Sequence, residues 1–133
     1  MTIVEEVKKL NLPLGKYVIV GSGTMAVFGI RDARDIDIAV TSDLFIEMQN
    51  SGEWDEETKF GKKFLKGNGI DVIPQLNWEE YSTTTEEAIA SAVLVGGIPF
   101  MNFEELKKFK TAIGRDKDFK DIILIDLYLN KKT

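Results

Sequence analysis

The chain has 133 residues, 44% of them hydrophobic, with no cysteine, no histidine and a formal charge of −5. This composition excludes disulfides, thiolate or imidazole metal sites, cysteine nucleophiles and any serine–histidine triad, leaving acid–base work to Asp, Glu, Lys and Tyr. Any metal would take oxygen ligands, which favours magnesium, manganese or calcium, and the acidic balance is not that of a bulk nucleic-acid binder.

In chain order, Ile3, Val7 and Leu10 fall on one helical face, and Pro13 and Gly15 end that helix. Residues 16–20, KYVIV, are predicted as a buried strand. Gly21-Ser22-Gly23 then turns into a helical apolar stretch running to Ile30. Residues 35–40, DIDIAV, form the second predicted strand, and 41–50 a capped helix or turn. Strands near 58–65 and 70–74 flank Asn68-Gly69, the strongest hairpin signal in the chain. Residues 85–94 read as a helix with Thr85 as cap, and 98–100 as a short edge strand. Asn102 with Glu105 caps a helix that stops at Gly114, and Asp116 caps a last one. No repeat, low-complexity tract or linker interrupts this series. One α/β (α+β) domain over residues 1–133 is predicted, a small mixed sheet flanked by helices. No apolar run approaches the roughly 20 residues that span a bilayer, and the first residues lack a signal-peptide layout. A cytoplasmic protein without membrane contact is expected.

Asp35 and Asp37 interleave with Ile36 and Ile38, so in a strand both acids face one way. Two like charges side by side need an offset: solvent, a basic neighbour such as Arg31 or Arg34, or a cation. Asp71 opens the later strand alone among apolar residues. If the two strands are neighbours, the three carboxylates form a set able to bind divalent cations and, through them, a polyphosphate. The strand entering Gly21-Ser22-Gly23 and a helix presents backbone N–H groups suited to phosphate. The same residues also fit G-x-G-x-x-A, with Asp43 about 20 residues on, as in a dinucleotide-binding fold.

The ordered set Gly21-Ser22, Asp35-x-Asp37, Asp71 and "LKKFKTAIGRDKDFKDI" resembles the DNA polymerase beta-like nucleotidyltransferase superfamily. Within it, the set is similar to the minimal nucleotidyltransferases of the AbiEii toxin group. The resemblance runs from about residue 17 to 122. It implies that Gly21 and Ser22 hold a triphosphate and that Asp35 and Asp37 ligate magnesium or manganese. It also implies that Asp71 ligates the catalytic metal and helps deprotonate an acceptor hydroxyl. Lys110, Arg115 and Lys117 match basic positions near the nucleotide, and Asp118 matches a structural or orienting acid. The implied activity moves an NMP from an NTP to an acceptor, releasing pyrophosphate; the acceptor could be a small molecule, an RNA end or a protein. A non-catalytic nucleotide-binding or toxin–antitoxin-type regulatory module is the alternative, followed by the dinucleotide domain. Trp54, Phe60, Phe64 and Trp78 are read mainly as core or hairpin packing, with base stacking as the alternative.

Overall fold

A seven-stranded mixed sheet organises the computed structural model, which describes residues 2–132. The strands are β1 (Tyr17–Val20), β2 (Ile36–Val40), β3 (Asp55–Lys59), β4 (Lys62–Gly67), β5 (Ile70–Ile73), β6 (Val93–Val95) and β7 (Ile98–Phe100). Their order across the sheet is β3-β4-β5-β2-β1-β7-β6. The helices are α1 (Ile3–Lys8), α2 (Ser22–Val27), α3 (Ser42–Asn50), α4 (Thr85–Ala90), α5 (Phe103–Ile113) and α6 (Asp116–Lys132). This is an α+β architecture, as the sequence predicts.

Strand alternation divides the core into two layers. Ile19, Ile36, Ile38, Val40, Leu65 and Val72 pack with Val7 of α1 and with Leu44, Phe45 and Met48 of α3. Val18, Val20 and Ala39 pack on the opposite face with Leu106 of α5 and Ile125 of α6. By the period of two, Asp37 shares the face of Ala39 and lies under the two C-terminal helices.

Local chemistry explains the element ends. Thr2 and Thr84 each close a capping box, with Glu5 and Glu87, and Asn102 caps α5 by accepting from the Glu105 N–H. Gly114 ends α5 in the left-handed conformation, φ 69°. The cap of α4 is therefore Thr84; Thr85 is buried, and its Oγ accepts from the Leu76 N–H at 3.1 Å. Asp116 is the first residue of α6, and the carboxylate that turns back onto the backbone is Asp118, accepting from the Arg115 N–H at 3.1 Å.

Other expectations are corrected in register or extent. The helix expected over 85–94 stops at Ala90, and the run Val93–Val95, with β-branched valines at both ends, becomes strand β6. Residues 98–100 are not an edge strand, because β7 lies between β1 and β6. The strand expected over 58–65 is a hairpin: β3 and β4 pair antiparallel around a two-residue turn at Phe60-Gly61. The Asn68-Gly69 hairpin forms between β4 and β5 as predicted. The dinucleotide reading needs a parallel β-α-β unit, whereas β1 and β2 pair antiparallel around α2. Gly23 instead lets α2 approach the sheet, since a Cβ there would lie 2.5 Å from Ile19 Cγ2. Asp43, the ribose acid of that reading, is ion-paired with Lys16.

Candidate functional site

The parallel pairing of β2 with β5 makes Asp37 and Asp71 register partners. Their side chains stand next to each other on the face under α5 and α6. Asp35 lies just before β2 and is exposed. All three line one open cleft of about 690 Å³. Gly21, with φ 64°, brings its backbone against the same acids: a Cβ on it would sit 3.2 Å from Asp37 Oδ2. Lys66, opposite Asp71 on β4, approaches the Asp71 carboxylate at 3.6 Å.

The facing wall is built from α2, the loop after it, and the α5–α6 junction. Ser22, Lys110, Arg115 and Lys117 all line the cleft, together with Arg31, Arg34, Lys120, Asp118 and Asp121. Six basic and five acidic side chains therefore meet here, a local balance of 6 − 5 = +1 in a chain of net charge −5. Asp35, Asp37 and Asp71 come from the strand side, whereas Asp118 and Asp121 lie among the cations of the facing wall.

Behind the cations lies a buried network. Lys110, 4% exposed, donates to Asp121 at 2.8 Å and approaches Asp118 at 3.7 Å. Asp118 and Asp121 are 0% and 5% exposed. Arg31 donates Nε and Nη2 to the two oxygens of Asp121 and also donates Nη2 to Ser22 Oγ, each at 2.7 Å. Lys110 reaches the same hydroxyl at 3.4 Å. Arg115 donates Nε and Nη2 to Asp118 at 2.6 and 3.1 Å. Burial pushes Asp118 and Asp121 upward, but these bonds outweigh it and lower both carboxyls.

Asp37 behaves in the opposite way. Burial, then repulsion from Asp71 and Asp35, pushes it up to about 6, only partly opposed by Lys110 and Lys59. Neither Arg31 nor Arg34 pairs with Asp35 or Asp37; Arg31 is committed to Asp121. The site thus carries concentrated negative charge with no ion-pair partner at Asp37 among the described residues.

An all-oxygen donor set suits a hard divalent cation. The described residues hold no group of three acids already drawn together as a ligand set. Asp37 and Asp71 are a fixed pair on the sheet, whereas Asp35 is exposed and lies outside the strand. The helix after Gly21 has only six residues, so it offers little helix dipole at the cleft, where the polar groups are the Ser22 hydroxyl and the cations.

Sequence reading missed Arg31 and Asp121 as parts of the site. Asp121 stands three residues after Asp118, hence on the same face of α6, a spacing visible in the quoted motif. Arg31 carries no local signal, because its partner lies 90 residues away. No family model, curated protein or solved structure matches the chain.

Proposed function

We propose that the protein is a divalent-cation-dependent nucleotidyltransferase, transferring an NMP from an NTP to an acceptor hydroxyl. The observation that carries this reading is the pairing of Asp37 with Asp71 on adjacent strands, facing Lys110, Arg115 and Lys117 across one cleft. Carboxylates on one wall and cations on the other match a metal-bound polyphosphate, which is anionic at its oxygens and cationic where it meets the strands. The acceptor oxygen forms a bond to the α-phosphorus while the bond to the β-phosphate bridging oxygen breaks and pyrophosphate leaves. Asp35, Asp37 and Asp71 would hold magnesium or manganese, whose contribution is to neutralise charge on the phosphate oxygens. Asp71 takes the acceptor proton. Arg115 and Lys117 neutralise the departing pyrophosphate. Lys110 and Arg31 fix the Ser22 hydroxyl toward the cleft.

A second reading, nucleotide binding without transfer, draws on the open position of Asp35 and the absence of a gathered three-acid set among the described residues. Incubation with α-labelled NTPs, magnesium and a cell extract separates the two. Label on an acceptor with stoichiometric pyrophosphate, lost in Asp37→Asn, supports transfer. Magnesium-dependent ATP binding without pyrophosphate supports the sensor. No binding at all removes both.

A further inference from the structure

A second cavity, of about 500 Å³, adjoins the carboxylate cleft and shares Arg115 with it. Its walls are Phe60 and Phe64 from the β3–β4 hairpin, Trp78, and Phe109 of α5, with Gln75 at the rim. The volume lies in the range of about 300–1,000 Å³ typical of small-molecule sites.

One wall residue is hard to explain by folding. Phe60 is 95% exposed and has φ 53°. It is the first central residue of a two-residue turn with both φ values positive, a geometry that favours Asn, Asp or Gly and disfavours a bulky side chain. The next hairpin supplies an internal control. The Asn68-Gly69 turn has φ values of 49° and 78°, against 53° and 74° at Phe60-Gly61, and it uses Asn where the first uses Phe. An exposed aromatic kept at a strained position gains nothing from burial, and backbone outliers of this kind cluster at ligand sites.

The rest of the wall is stiff. Trp78 and Phe109 meet edge to face at 5.7 Å, and both contact Tyr81. Arg115 is held by Asp118 through Nε and Nη2, so neither bond uses Nη1. An occupant of both cavities would be planar and apolar at one end and anionic at the other.

We infer that the aromatic cavity seats the nucleobase of a nucleotide whose phosphates lie in the carboxylate cleft, with Arg115 at the junction. This rests on the nucleotide reading proposed above. Recognition by stacking tolerates different bases, since every base has a π-face.

The test is calorimetric binding of ATP and of inorganic tripolyphosphate, each with magnesium, to the full chain and to Phe60→Asn and Phe64→Leu. Phe60→Asn installs the residue the turn prefers, so its melting temperature should equal or exceed the parent's. Both variants should bind ATP about 5- to 100-fold more weakly, while tripolyphosphate, which lacks a base, binds within about twofold of the parent. Unchanged ATP affinity in both variants overturns the inference, as does equal weakening of ATP and tripolyphosphate. Intact ATP binding with lost transfer also overturns it, by assigning the cavity to the acceptor. If the parent binds neither compound, the nucleotide reading beneath the inference falls as well.

Discussion

Arg31 grips Asp121 through two parallel hydrogen bonds of 2.7 Å, across 90 residues of chain. The pair ties the loop after α2 to the N-terminal half of α6, and Lys110 joins it from α5. A buried carboxylate with two cationic donors is costly to remove, because the cations stay behind. Asp121→Ala should lower stability by about 3 kcal/mol, and Arg31→Ala, whose side chain is partly exposed, by less, about 1–2 kcal/mol. Urea denaturation of both variants checks this. Equal, negligible losses would mean that the network is only solvated surface charge.

Asp37 gives a pH prediction. Its folded-state value, about 6, lies above its ordinary 3.8, so the folded chain binds this proton more tightly than the unfolded one. Stability from this group is therefore full below about pH 4 and lost as pH rises through about 6. Asp37→Asn mimics the protonated form. In EDTA its melting temperature should match the parent's near pH 4 and exceed it at pH 7, by an amount corresponding to about 1–3 kcal/mol. Asp118 and Asp121 shift the other way, but they are present in both proteins and cancel in the difference. A variant that melts lower than the parent at pH 7 would show Asp37 to be a stabilising structural acid.

The basic wall separates into two kinds of residue. Lys117 is exposed and lines the cleft, whereas Lys110 is buried among Asp118 and Asp121. Lys117→Ala should weaken magnesium–ATP binding about 3- to 10-fold with an unchanged melting temperature. Lys110→Ala should lower both, since it leaves two buried acids short of a cation. Calorimetry paired with thermal melts distinguishes the two patterns. Unaltered ATP binding in Lys117→Ala would remove it from the site.

Gly23→Ala tests why the glycine segment reads Gly-Ser-Gly. The added methyl would meet Ile19 Cγ2 at 2.5 Å in the packed core. The expected loss is about 1–3 kcal/mol in chemical denaturation, with the register of β1 and β2 unchanged by hydrogen exchange. A neutral result would show that α2 can lift away from the sheet at no cost.

Much of this architecture is legible because the local signals agree with the tertiary outcome. The Asn68-Gly69 turn, the Asn102 cap and the Gly114 stop each act within four residues, and the structure realises all three. Asp37 and Asp71 meet because the apolar residues around each specify a buried strand. What escaped the sequence depends on distance or on broken preference. Gly61 is the one turn signal beside Phe60, and it is outweighed because Phe is a strand former that the hairpin holds at positive φ. Nothing near Arg31 points to Asp121. Residues 93 and 94 pass for the end of a helix until β7 offers β6 a partner. Lys110 is marked by the motif as a basic site position, but its burial is not legible, because only the fold of α6 over it buries its charge.

The two walls of the cleft also differ in when a growing chain can complete them. The strands that carry the acidic wall, β1, β2 and β5, all end by Ile73 in the sequence. The basic wall needs Asp118 and Asp121 to receive Arg115, Lys110 and Arg31, and these acids lie on the last helix. During synthesis from the N-terminus, Asp35, Asp37 and Asp71 therefore emerge before Lys110, Arg115 and Lys117, and Arg31, although made earlier, waits for Asp121 to hold it. A nascent chain halted before α6 would carry Arg31, Lys110 and Arg115 without the acids that anchor them, and assembly of the complete cleft becomes one of the last events of folding.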